Sequence, residues 1–172
     1  MPTCEDNVGL RLKAALFQNP NTVVLSYHPP NGKAYETDLI RIPKRGLRKS
    51  AVRDRYHIDL IFIVGDSLVL VELKCNLSES SDDINKLREI KDTYPLEDLK
   101  RLIAARLTTV STDVLDNIND IVIALGVEII NSEVPNDFVV FEAKEAGITV
   151  RCGNEISEAT RDEFQAIFNM GS

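Results

Sequence analysis

Asp59, Glu72 and Lys74 are the residues whose types and spacing could do chemistry in this 172-residue chain. They lie in residues 56–75, YHIDLIFIVGDSLVLVELKC, where two runs rich in Ile, Val, Leu and Phe flank Gly65 and Asp66. A Gly-Asp pair in that setting signals a two-residue hairpin loop. With Val64 facing Ser67, the register puts Ile63 opposite Leu68, Ile61 opposite Leu70, Asp59 opposite Glu72 and His57 opposite Lys74. Side chains alternate along a strand, so these pairs share one face, and Ile58, Leu60, Phe62, Val69, Val71 and Leu73 take the other. A hairpin apolar on both faces belongs in the middle of a covered sheet. Two carboxylates roughly 5 Å apart at Cβ at the end of such a sheet repel one another. The spacing therefore predicts a raised pKa or a bound cation, and a hard divalent ion suits oxygen ligands. Such an ion would neutralise a phosphate, lower the pKa of a bound water and stabilise a leaving oxygen. Lys74 would add a positive charge beside that water, and would act as a base only with a depressed pKa. The competing reading is a solvated strand edge, since E-x-K is common by chance. The in-register aspartate, the lysine on the same face and the apolar residues elsewhere favour the chemistry.

The residues His57-Ile58-Asp59 and, thirteen positions from Asp59, Glu72-Leu73-Lys74 resemble the D…ExK signature of the PD-(D/E)XK nuclease superfamily. The resemblance covers residues 4–125, and its specific part is the hairpin. It implies an α/β, restriction endonuclease-like core: helix, three antiparallel strands, helix and a further strand, in a mixed sheet flanked by helices. It implies Mg²⁺, with Mn²⁺ able to substitute, held by Asp59 and Glu72, and a water positioned or activated by Lys74. The family's first helix often lends an acid to the metal, which makes Glu5 a candidate; the plainer reading of Glu5 is an acid placed for the helix dipole. Ile58 stands where many members have proline, a position that leaves the ligands intact. The implied activity is a Mg²⁺-dependent endonuclease hydrolysing DNA, of restriction or defence/repair type, acting as a homodimer because double-strand cleavage needs two sites. The alternative is a catalytically inactive DNA- or protein-binding module of the same fold in a defence or transposition complex. An RNA-directed nuclease is a further alternative.

Length and composition, 44% hydrophobic and 27% charged, predict one globular domain over residues 1–172 and argue against disorder. No apolar run approaches the roughly 20 residues of a membrane span. The opening MPTCEDNVGL lacks a basic start and an apolar signal core, so the expectation is a cytoplasmic protein. Cys4, Cys75 and Cys152 have no C-x-x-C spacing and are expected to be reduced thiols, in neither a zinc site nor a disulfide. Cys75, beside Lys74, is a reactive thiol or a plain buried one.

The net charge of −7 is unevenly spread. Residues 41–55 hold Arg41, Lys44, Arg45, Arg48, Lys49, Arg53 and Arg55 against the single acid Asp54. A basic block in an acidic chain is an electrostatic footprint for phosphate, and it feeds directly into the strand that carries Asp59. Lys44, Arg45, Arg48, Lys49, Arg53, Arg55 and His57 are the nucleic-acid-binding candidates, with phosphate contacts that position rather than specify. The plainer readings are a solubilising loop and, for His57, a structural hydrogen bond.

The elements that must position these groups follow from periodicity. Val8, Leu12, Ala15 and Leu16 predict a helix over 5–17 capped by Thr3 and ended at Asn19-Pro20-Asn21. Short strands are expected over 22–27 and 35–42, the second carrying Glu36 and Asp38 as further acids that could approach the metal. Residues 43–55 read as a loop. Ile84, Leu87, Ile90 and Tyr94 predict a helix from Asp82, capped by Ser81 and stopped by Pro95. Lys86 and Arg88 lie elsewhere on that helix, as solvated charges or as DNA contacts. A second helix is expected over 96–107 and a short one around Val114. A buried strand over 121–125, ended by Gly126, should run parallel to the hairpin's second strand after a helical crossover. A hairpin over 138–152 and a helix capped by Ser157 complete the chain.

Overall fold

In a computed structural model, Thr3 begins the first helix with a reciprocal cap: its hydroxyl accepts the Asp6 N–H at 3.2 Å, while the Asp6 carboxylate accepts the Thr3 N–H at 2.9 Å. The structure describes residues 3–28, 40–44, 55–107 and 110–169. Helix α1 (Cys4–Gln18) buries Val8, Leu12 and Leu16, as their spacing predicts. After it come strands β1 (Thr22–Tyr27), β2 (Arg41–Pro43), β3 (Arg55–His57), β4 (Leu60–Val64) and β5 (Ser67–Leu73). Helices α2 (Ser81–Thr93) and α3 (Leu96–Ala104), strands β6 (Asp120–Val127), β7 (Phe138–Lys144) and β8 (Gly147–Cys152), and helix α4 (Glu158–Asn169) complete the order.

Six strands form one mixed sheet in the order β1-β4-β5-β6-β7-β8. Gly65 has φ +57° and no non-glycine residue described has positive φ, so Gly65 fills the first central position of the tight turn. The expected register holds from that turn: Val64 pairs with Ser67, Ile63 with Leu68, Ile61 with Leu70 and Leu60 with Val71. On its other side β5 runs parallel to β6 after the α2–α3 crossover, also as expected.

The sheet separates two apolar layers. Ile61, Ile63, Leu68 and Leu70 pack under α2 and α3 through Leu87, Ile90, Leu99 and Ile103. Leu60, Phe62, Val69, Val71 and Leu73 pack under α1 and α4 through Val8, Leu12, Leu16 and Phe164. Alternation then puts Glu72 and Lys74 on the α2 side.

Four expectations fail. The first arm of the hairpin does not continue back through His57: β3 leaves the main sheet and pairs with β2, Arg41 opposite His57. The chain turns at Ile58 and Asp59, where the Asp59 carbonyl accepts the His28 N–H at 2.7 Å, and Ile58 moves into the α2-side core instead of the α1 side. The ends of the expected 43–55 loop are strand, with Pro43 paired to Arg55. Gly126 does not end the last central strand, which runs on to Val127. A Cβ on Gly126 would lie 2.6 Å from Leu12 Cδ1 and 2.9 Å from Leu73 Cδ2, so the missing side chain is what lets α1 close on the sheet. Helix α2 begins one residue earlier than expected, with Ser80 rather than Ser81 at the cap position and no side-chain capping bond.

The thiol expectation is also overturned. Cys4 and Cys75 are joined in a disulfide, their Cα atoms 5.5 Å apart, and Cys152 is the free cysteine. The partners lie 71 positions apart and meet because α1 begins beside the end of β5, which local spacing does not reveal. Among the described residues no helix is long and apolar enough to cross a membrane.

Candidate active site at the end of the central hairpin

Glu72 is the penultimate residue of β5, in the centre of the sheet, and only 3% of its surface is exposed. Burial raises its pKa well above the ordinary carboxylate value, and the charge of Asp59 and a hydrogen bond with Asp59 push the same way against Lys86. The expected cross-strand pair of Asp59 with Glu72 does not form: β4 begins at Leu60, and Asp59 reaches β5 beside Glu72 by accepting the Leu73 N–H at 2.9 Å on Oδ2.

Lys74 sits beside this pair and is held by acids from two helices. Its Nζ is 3.9 Å from Glu5 Oε1, in the first turn of α1, and 3.6 Å from Asp83 Oδ2, in the first turn of α2. Partial burial works against its charge, but Asp83 and Glu5 outweigh burial and raise its pKa. Both acids favour the lysine as an ammonium. Burial also raises Glu5 and Asp83, with Lys74 opposing the shift in both. Asp83 Oδ2 is buried without a hydrogen bond.

Lys86 was expected to face solvent or DNA and instead turns inward. Its Nζ makes an ion pair with Glu72 Oε1 and donates to the His57 carbonyl at 2.9 Å. Apart from this ion pair, Glu72 Oε1 is buried without a hydrogen bond. Arg88 is bound in a two-pronged pair with Asp137, at 2.8 and 2.6 Å. Sequence reasoning missed Asp83 and Lys86; both lie three residues apart on α2, on the margin of the Leu87–Ile90 stripe, and that spacing was the available signal.

No protein family, curated protein or solved structure matches the chain. Its own geometry carries the functional argument.

The phosphate-binding candidates are not brought together in the described residues. His57 does not face Lys74; its ring packs edge-on against His28, centroids 5.7 Å apart. Lys44 Nζ lies over the Tyr56 ring at 5.3 Å. Arg41 and Arg55 contribute a described backbone only, and Arg45, Arg48, Lys49 and Arg53, like Glu36 and Asp38, lie outside the described residues. Glu5 reaches the site through Lys74.

The donor chemistry fits a hard divalent cation. Asp59 and Glu72 offer paired carboxylates, and one oxygen of Glu72 and one of Asp83 are buried without hydrogen bonds. Lys86 stands in the way, because it already neutralises Glu72.

Proposed function

We propose that the chain is a Mg²⁺-dependent endonuclease of the PD-(D/E)XK type that hydrolyses DNA phosphodiester bonds. The observation that carries this reading is the buried Glu72, two positions before Lys74, with Asp59 anchored beside it on the Leu73 N–H at the end of the central strands. The order α1, β1, β4, β5, α2, β6, with β1, β4 and β5 antiparallel and β6 parallel to β5, also supports it; the β2–β3 pair is inserted between β1 and β4.

Asp59 and Glu72 would hold the ion, which when bound neutralises the scissile phosphate and lowers the pKa of a water. Glu72 must be ionised and must loosen its ion pair with Lys86 to serve as a ligand. Asp59 is kept in place by its bond to the Leu73 N–H. Lys74, held as an ammonium by Glu5 and Asp83, supplies positive charge and orients a water rather than accepting its proton. Two chains would be needed to cut both strands.

Supercoiled plasmid with Mg²⁺ or Mn²⁺ tests the reading. Wild-type protein should nick or linearise it while Glu72→Gln does not; equal cleavage by both, or none by either, removes the enzymatic claim. Single-stranded RNA and DNA arms in the same assay separate the substrates, and sedimentation with and without DNA tests for a dimer.

A second reading rests on Lys86. Its charge already occupies the place beside Glu72, which favours a binding module of this fold whose site needs no metal. Calorimetric titration with Mn²⁺ separates the two: heat that disappears in Asp59→Asn supports the nuclease, and no heat supports the module.

A further inference from the structure

The Cys4–Cys75 pair carries a second centre, independent of the nuclease reading. Cys4 Sγ, Cys75 Sγ and a Glu128 carboxylate oxygen all lie within 4.8 Å of one another, and all three residues are partly buried. Two of the three are set by the sheet. Beyond β5 and β6 the backbones stay bonded, with the Cys75 carbonyl accepting the Glu128 N–H at 3.0 Å and the Ile129 N–H at 3.1 Å. The third is set by the capped start of α1, where Thr3 and Asp6 fix the first turn.

One contact does not suit the disulfide. Glu128 Oε2 lies 3.1 Å from Cys4 Sγ. A disulfide sulfur has no proton to donate, so oxygen and sulfur lone pairs face each other there. Arg11, 3.8 Å from the same oxygen, offsets the carboxylate charge only from a distance. A proton or a cation between sulfur and oxygen would make the arrangement favourable.

We propose that in the reduced chain Cys4, Cys75 and Glu128 bind a thiophilic divalent cation of the Zn²⁺ class, and that the disulfide is the metal-free, oxidised alternative. Two thiolates and one carboxylate are a three-ligand zinc set, which leaves a position for water. Thiolate ligands select such an ion over Mg²⁺. Reduction by a small dithiol adds two electrons and two protons to the disulfide, and the dithiol leaves as its own cyclic disulfide. Zn²⁺ binding then releases the two thiol protons to solvent. The ion would tie the start of α1 to the ends of β5 and β6 just as the covalent bond does, so the fold keeps this link in either redox state.

The test uses the full chain, reduced under anaerobic conditions and titrated with Zn²⁺ against a chromogenic chelator, and with Co²⁺ to read thiolate-to-metal charge transfer. One ion per reduced chain is expected, and the oxidised chain should bind none there. Cys4→Ser and Cys75→Ser should each abolish binding, Glu128→Gln should weaken it about ten-fold or more, and Cys152→Ser should leave it unchanged. Should a cysteine variant fail to fold, alkylation of the wild type answers the same question: Zn²⁺ should protect Cys4 and Cys75 but not Cys152. No Zn²⁺ binding by the reduced wild type, charge transfer that survives Cys4→Ser, or equal protection of all three thiols would overturn the proposal.

Discussion

Asp59 Oδ2 accepts the backbone N–H of Leu73 at 2.9 Å, across the open end of the central hairpin. The bond continues the attachment of the two arms one residue beyond the last ladder pair, Leu60–Val71, and fixes the carboxylate beside Glu72. Asp59 thus has a structural duty and a candidate chemical one, and substitutions can part them. Asp59→Ala should cost about 1–3 kcal/mol by leaving the Leu73 donor unsatisfied. Asp59→Asn keeps an acceptor and should lose much less, yet should abolish Mn²⁺ binding. Urea unfolding and calorimetry of the two variants measure the two duties separately, and Mn²⁺ binding that persists in Asp59→Asn would remove Asp59 as a ligand.

Glu72 should make the protein less stable as pH rises. Its folded pKa lies above the ordinary 4.5, so from that pH upward the native chain retains a proton that the unfolded chain has released. Stability contributed by that proton is complete below the unfolded value and is lost as pH passes through the folded one. Glu5 and Asp83 are shifted the same way and add to the slope. Urea midpoints taken without divalent ions, from pH 4.5 to about pH 8, should fall in the wild type and fall less in Glu72→Gln. An unchanged slope in the variant would assign the decline elsewhere.

Lys86 and a divalent ion should compete for Glu72. Lys86→Met removes the only cation paired with Glu72 among the described residues and leaves a buried acid, at an expected cost of about 1–3 kcal/mol, reduced from a fully buried pair because the lysine is partly exposed. At neutral pH the same variant should bind Mn²⁺ more tightly than the wild type. Weaker binding would make Lys86 a support for the metal site rather than its rival.

Gly126 couples the α1 layer to the site. Its carbonyl accepts the Lys74 N–H at 2.9 Å, and an added Cβ would meet Leu12 and Leu73, which must shift. Gly126→Ala should destabilise the fold by about 1–3 kcal/mol through overpacking. Because Leu73 lies between Glu72 and Lys74, the variant should also change the pH slope that Glu72 sets. Thermal melts at two pH values check both effects, and a stability equal to the wild type would contradict the close approach.

Much of this arrangement is legible in the chain because it follows from local rules. Gly65 and Asp66 set the register that brings Asp59 and Glu72 together, the Val8–Leu12–Leu16 stripe sets α1, and the apolar run from Ile121 sets a strand parallel to β5. What was hidden depends on contacts between distant segments. Tyr56 and His57 look like a continuation of the hairpin, and only the pairing with Arg41 and Ile42 diverts them. Cys4 finds Cys75 across 71 positions through the docking of α1. Lys86 reads as an ordinary helix-surface lysine until the sheet end is seen to present a buried acid to it.

Lys74 is also an internal gauge. Its ammonium lies between an acid of α1 and an acid of α2, which sit on opposite layers of the sheet. Any sliding of one layer past the other must lengthen at least one of these contacts, and the loss appears at a single nitrogen. Isotope labelling of that side chain would turn it into a reporter of interlayer motion, readable by the exchange of its ammonium protons without adding a probe to the molecule.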